Sequence, residues 1–172
     1  DMFVFSCYTG LAYIDIFNLT KDQLSKGIDG NLWIITNRQK TGSASNIPLL
    51  PVAEEIIKKY ENHPVSSNSG KLLPVYTNQK VNEYLKTIAE NCGINKKLTF
   101  HCARHTFATT VTLGNNVSME SVSKMLGHKS IKTTQHYAKI LDSKVSQDMG
   151  SLKLVLEKKN EVQKENDKKL GS

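Results

Sequence analysis

Arginine is nearly missing from this chain. Of 23 basic residues only Arg38 and Arg104 are arginines. The others are lysines, which meet phosphates as point charges rather than as planar forks. Cysteine is also scarce. Cys7, Cys92 and Cys102 form an odd set without metal-ligand or disulfide spacing, and they read as reduced thiols of a cytoplasmic protein. No apolar run approaches the length of a membrane span, and no charged-then-apolar leader marks a signal peptide. A Gly-rich Walker loop and an acidic metal cluster are both lacking, and there are no internal repeats.

What remains is a chain of 172 residues with 38% hydrophobic content, enough for one domain with a real core and short for two. The formal net charge of +7 favours a polyanionic partner, although a solvated lysine-rich surface has the same composition. The chain starts on Asp1-Met2-Phe3, already inside an apolar stretch, so the reading is of a fragment whose upstream part was removed.

Periodicity predicts a mainly α fold with one small antiparallel β-sheet (α+β). Phe3 to Tyr8 and Tyr13 to Leu19 read as two short helices separated by the breaker Gly10. Leu32 to Thr36 is β-branched and aromatic, hence a strand, with Asn46 to Leu50 as its partner. Pro48 lacks an amide donor, so that partner should lie at an edge or pair only partly. The intervening residues 37–45 form a polar loop. Pro51 opens a helix to about Asn62, and the Ser-, Asn- and Pro-rich stretch from His63 to Gly70 reads as a loop. Asn78 caps a helix to about Cys92 with Val81, Tyr84, Leu85, Ile88 and Ala89 as its apolar stripe. Thr99 caps the next helix, Ser118 another that Gly127 stops, and Ser130 one that runs to Asp142 and contains Tyr137. Val145, Met149, Leu152 and Leu156 make a last amphipathic stripe. Beyond Glu157 the sequence has no apolar face and is expected to be disordered.

Chemistry concentrates between Thr99 and Leu141. His101, Arg104 and His105 stand at i, i+3 and i+4, on one helix face. Leu126-Gly127-His128 ends the following apolar segment, and Tyr137 stands nine residues on. A lone tyrosine on a helix usually serves packing. Tyrosine, guanidinium and imidazoles gathered on helix starts and turns are what phosphoryl transfer to a phenol needs.

This set of parts resembles the tyrosine recombinases, the phage-type integrases, whose signature is His-x-x-Arg, then Leu-Gly-His, then tyrosine. Upstream, Thr9-Gly10-Leu11 with Asp15 resembles the family's first box, and Gln39-Lys40-Thr41-Gly42 its β-hairpin lysine. The resemblance covers about Phe3 to Asp148. It implies a catalytic domain over 1–148, followed by a C-terminal helix and lysine-rich tail over 149–172. It also implies that Tyr137 attacks a DNA phosphodiester, leaving a 3′-phosphotyrosine and a free 5′-hydroxyl, with no metal, ATP or other cofactor. Arg104, His101 and His128 would then hold the phosphate, and Lys40 would protonate the leaving oxygen. Asp15 would orient other groups. His105 would either support Arg104 or pack, and Cys102 would pack.

Arg38, Lys40, Arg104, Lys129 and Lys132 are the expected contacts to double-stranded DNA. The resemblance further implies a monomer that becomes a homo-oligomer, a tetramer, on paired sites, with the C-terminal stripe exchanged between protomers. The expected setting is the bacterial cytoplasm, in association with the nucleoid. Two other readings share these residues. One is a DNA-binding module without catalysis, because the helices flanking Gly127 resemble a helix-turn-helix. The other is a type IB topoisomerase-like relaxing enzyme.

One position departs from the pattern. The residue after Thr9-Gly10-Leu11, where the family carries its first catalytic arginine, is Ala12. A methyl group cannot neutralise a phosphate. The reading looks for a replacement cation either in Arg38 or upstream of Asp1, and favours the upstream source.

Overall fold

The computed structural model describes residues 1–137, 145–146 and 148–159, with the side chain of Ser67 excepted. The chain divides into two units, Asp1–Ala138 and Lys139–Ser172.

The first unit begins with α1 (Met2–Thr9), which ends on Gly10 in the left-handed region, and α2 (Tyr13–Asn18). Three strands follow: β1 (Leu24–Lys26), β2 (Leu32–Asn37) and β3 (Ala44–Pro48). They form an antiparallel sheet in that order, with Leu24 opposite Ile34 and Trp33 opposite Pro48. β3 is thus an edge strand, which is why Pro48 is tolerated there. β1 is not legible in the sequence, since Leu-Ser-Lys is too short to show a period. The pairing segment is residues 44–48 rather than 46–50.

Next come α3 (Pro51–Tyr60), α4 (Pro64–Ser69) and α5 (Asn78–Asn91). α4 corrects the expected loop. Pro64 fits the first turn, the His63 Nδ1 accepts the Val65 N–H at 3.3 Å, and the Ser69 hydroxyl donates back to the Val65 carbonyl at 2.7 Å. Residues that usually compete with a helix here satisfy its backbone. α5 is capped by Thr77, not Asn78, through the Lys80 N–H. Only Val81, Leu85 and Ala89 of its stripe are buried, while Tyr84 and Ile88 are about half exposed.

α6 (Phe100–Thr106) continues through a π-helical turn at Phe107–Thr112 and a 3₁₀ turn at Leu113–Asn115. α7 (Met119–Met125) and α8 (Ile131–Gln135) complete the unit. α8 is shorter than the expected helix. It ends at Gln135, and Tyr137 lies in the turn that follows. Residues 138–142 lie outside the described residues.

A main core gathers Phe5, Leu11, Ile16, Leu19, Ile34 and Ile47 between the first helices and the sheet. Burying each such side chain is worth roughly 1.5–3 kcal/mol. A smaller cluster of Phe107, Ala108, Val122 and Leu126 holds the C-terminal helices together, and Tyr137 packs against it. In the second unit, residues 145–146 and 148–159 are helical and carry the Val145–Leu156 stripe, so Lys158 and Lys159 are helical where composition predicts disorder. Residues 160–172 lie outside the described residues.

Candidate active site

Arg104 is the centre. Thr99 starts α6, and the Cys102 thiol accepts the Thr99 N–H at 3.5 Å. The helical register then turns Arg104 inward, where it is only 4% exposed, while His101 and His105 stay at the surface. The Arg104 Nη1 donates to the Gly10 carbonyl, and Nη2 donates to the Leu126 carbonyl at 2.7 Å. Gly10 has φ +69°, and a Cβ there would collide with the Phe107 ring. Only glycine lets the end of α1 present its carbonyl to the guanidinium. Burial, reinforced by the neighbouring charge of Arg38, pulls the Arg104 pKa down to about 10. The hydroxyl of Tyr137 acts the other way, by charge and by hydrogen bonding. Arg104 is therefore charged at neutral pH.

His128 is fixed by two bonds. Its Nε2 lies 3.1 Å from the Arg104 Nη2, and its Nδ1 lies 2.9 Å from the Thr134 hydroxyl. Arginine only donates, so Nε2 accepts and the proton sits on Nδ1. Burial, then the charges of Arg104 and Arg38, push the His128 pKa down to about 4. In this state His128 joins Arg104 through Nε2 to Thr134 through Nδ1. The same causes, burial first and then His105 and Arg104, lower the pKa of His101.

The rings form a continuous row. His101 and His105 are 5.1 Å apart between centroids, His105 and Tyr137 4.7 Å, and His128 and Tyr137 6.1 Å in a stack. His105 therefore does not pack into the core. Its ring meets that of Tyr137 in a T-shaped arrangement.

Asp15, 5% exposed, ties the first box to the hairpin. Its Oδ1 accepts the Gln39 N–H at 2.9 Å, and its Oδ2 accepts the Ala12 N–H at 3.3 Å. The same Oδ2 lies 2.7 Å from the Arg38 Nε. The Nε–H does not point along that contact, so the pair is Coulombic more than hydrogen-bonded. Arg38 also donates from Nη1 to the Leu126 carbonyl at 2.8 Å. The two arginines thus share one oxygen, and their donor nitrogens are at most about 5.5 Å apart. Like charges at that separation repel by roughly 3 kcal/mol at an effective dielectric near 20. Asp15 offsets one of them.

The structure thus brings together Tyr137, Arg104, His128, His105, His101, Asp15 and Arg38. It leaves Lys40 apart. Arg38 and Lys40 do not share a face as extended backbone would place them. The Arg38 carbonyl accepts the N–H groups of Thr41 and Gly42, so the chain turns, Arg38 points in, and Lys40 stands exposed at the hairpin tip. Lys129 and Lys132 are exposed as well. Lys129 borders a groove of about 380 Å³ that Lys124, His128 and Ser43 also line. A second groove of about 380 Å³ runs past Ala12, Thr99, His101 and Arg104. Sequence reasoning missed Thr134, fully buried against His128, and the Leu126 carbonyl. Nothing in the sequence marks either. Among the described residues no group of three or more His, Cys, Asp or Glu could hold a metal ion, and no helix is long and apolar enough to cross a membrane.

This geometry can be set beside known proteins. The phage integrase family matches residues 2–144 of the chain. The chain belongs to that family. Among curated relatives of this integrase-family chain, the tyrosine recombinase XerC of Rickettsia canadensis is 31% identical over 142 residues, covering 76% of this chain and 43% of the relative. The tyrosine recombinase XerD of Halalkalibacterium halodurans is 34% identical over 113 residues, covering 58% of this chain and 36% of the relative. The chain thus spans less than half the length of these relatives. Of solved structures, XerA recombinase superposes with a TM-score of 0.64 at 23% identity, over 84% of this chain and 54% of that one. A post-cleavage complex of XerH site-specific recombinase bound to a palindromic difH substrate gives 0.66 at 18%, over 86% of this chain and 43% of that one. A λ integrase dimer bound to a COC′ core site gives 0.61 at 18%, over 79% and 50%. The fold is that of tyrosine recombinase catalytic domains.

Proposed function

We propose that this chain is the catalytic domain of a site-specific DNA recombinase of the integrase type, acting on double-stranded DNA. The observation that carries the reading is the stacking of Tyr137 on His128, whose Nε2 bonds to Arg104, in a cluster that also holds His105. The Tyr137 phenol releases its proton to water as its oxygen attacks phosphorus, the P–O5′ bond breaks, and the 5′-oxygen takes a proton from Lys40 at the hairpin tip. The product is a 3′-phosphotyrosine and a free 5′-hydroxyl. The link keeps the energy of the broken bond, so attack by a 5′-hydroxyl of another strand reverses the step and rejoins the DNA without ATP. Arg104 neutralises charge on the non-bridging oxygens. Lys124, Lys129 and Lys132 are placed for the DNA backbone.

The test uses nicked duplex and scores an SDS-resistant protein–DNA band. Tyr137→Phe keeps the ring and its packing and loses only the hydroxyl. It should bind DNA as the parent does and form no adduct. Adduct formation by the Phe variant would remove Tyr137 as nucleophile. Ala12 favours a second reading, a DNA-binding module of the same fold without catalysis. Under that reading the parent binds duplex and never forms the band. A type IB topoisomerase-like relaxing enzyme would form it but would relax DNA without paired sites.

A further inference from the structure

We propose that Arg38 is the second guanidinium of the phosphate site, delivered across the site by the β2–β3 hairpin to supply the cation that the Ala12 methyl group cannot. This rests on the phosphoryl-transfer reading above. Several observations converge on it. A chain with only two arginines brings both to one carbonyl oxygen, Leu126, at 2.8 and 2.7 Å. Two guanidinium groups this close repel, and the one carboxylate beside them offsets only one, so an anion at the pair is favoured. The arrangement is also shaped around Arg38. A Cβ on Gly127 would come within 2.6 Å of the Arg38 Cγ, so the Leu-Gly-His turn leaves the room that the arginine stem occupies.

Asp15 pairs with Arg38 through Nε. The Arg38 Nη2 has no hydrogen-bond partner among the described residues and remains available to an incoming oxygen. With His128 accepting from Arg104, the cluster of Arg38, Arg104 and Asp15 keeps one net positive charge, which a phosphodiester would neutralise. This reverses the expectation of an upstream source, because a cation already stands at the site within the described residues. The sequence ranks Arg38 lower because it would have to share the hairpin with the general acid, Lys40.

A merely structural role, with Arg38 pinning the hairpin to Leu126, makes a different forecast. The Ala12 N–H bonds to the same Asp15 carboxylate that pairs with Arg38, and Ala12 lines the groove that holds His101 and Arg104. An arginine introduced at position 12 can reach the phosphate site without restoring any contact between the hairpin and Leu126. The experiment compares the full 172-residue chain with Arg38→Ala, Ala12→Arg and the double variant in the adduct assay on nicked duplex, with Tyr137→Phe as the blank. Duplex affinity and thermal midpoint are measured for each. Arg38→Ala should slow adduct formation by about 10²–10³, with a far smaller loss of duplex affinity, of the size expected for one phosphate contact. The double variant should recover at least about tenfold of that rate.

A rate for Arg38→Ala equal to the parent's overturns the proposal, and so does a loss that the double variant does not recover. If the parent forms no adduct at all, the functional reading fails, and the clamp is judged by inorganic phosphate alone. Phosphate should then raise the thermal midpoint of the parent more than chloride at equal ionic strength, and this difference should vanish in Arg38→Ala. No phosphate-specific shift in the parent overturns the clamp as well.

Discussion

At the scale of single residues, the site is held by acceptors that carry no chemistry of their own. Asp15 is the clearest case, with two backbone N–H groups and one guanidinium on a buried carboxylate. Removing one partner of a buried ion pair typically costs about 3–5 kcal/mol. Asp15→Ala should therefore lower stability by about 3 kcal/mol in urea titrations, and a loss under about 1 kcal/mol would mean that the hairpin does not depend on it. His128 makes a pH forecast. Its folded pKa of about 4 lies below the ordinary value of 6.5, and that of His101 is lowered too. Between those values the unfolded chain binds more protons than the folded one, so stability rises with pH and is lost as pH falls from about 6.5 towards 4. Thermal melts should show this decline, and His128→Asn should make it shallower. An unchanged slope would remove His128 as its source. Tyr137, Arg104 and His128 are legible as a set because their types and spacing match one motif, and the structure brings them together. Thr134 and the Leu126 carbonyl are not, because a side chain's partner across space leaves no mark at its own position.

At the scale of elements, the β2–β3 hairpin has a fixed base and an exposed tip. Ser45 donates to the Met125 carbonyl and Arg38 to that of Leu126, while Lys40 extends from the turn beyond them. Such a lever can carry Lys40 towards a leaving oxygen without disturbing the phosphate cluster. Lys40→Ala should slow cleavage by about 10²–10⁴, the usual worth of a placed general acid. The same variant should be nearly normal on a duplex whose 5′-bridging oxygen is sulfur, because a thiolate leaves without a proton. Equal slowing on both duplexes would place Lys40 in binding instead. Helices with strong periodicity or clear caps are legible in the sequence, among them α1, α3 and α7. α4 is hidden because its serines and asparagine read as loop composition, yet here side chains close on the helix itself. β1 is hidden by length, and the end of α8 by a pattern that continues past the point where the helix stops.

At the scale of the whole molecule, the recombinase reading makes charge the main determinant of DNA binding. The net charge of +7 is spread almost wholly over lysines, so binding should be mostly electrostatic and discriminate poorly between sequences. Each lysine that meets a phosphate should, when replaced by alanine, make the slope of log affinity against log salt shallower by about 0.9. Titrations at several salt concentrations on one target and one scrambled duplex should show steep, parallel lines, and flat lines would exclude a binding face built from lysines. The Val145–Leu156 stripe concerns assembly. Truncation after Asp142 should leave binding to a single site intact and reduce assembly on paired sites, as gel-shift stoichiometry would report. Unchanged assembly would mean that protomers join elsewhere.

Gly127 answers to two demands at once, a φ of +61° and the nearness of the Arg38 stem. These demands are separable. In the parent, Gly127→Ala meets both the strained backbone and the collision. In an Arg38→Ala background the backbone strain and a 3.3 Å approach to the Ala44 carbonyl remain but the collision with the arginine stem is gone, so the two substitutions should be less harmful together than the sum of their separate effects. The permissible residues at the middle of the Leu-Gly-His turn are thus conditional on a hairpin side chain far away in sequence. Across related chains this predicts correlated change between the two positions, with larger residues entering the turn only where the hairpin arginine has been replaced by something smaller.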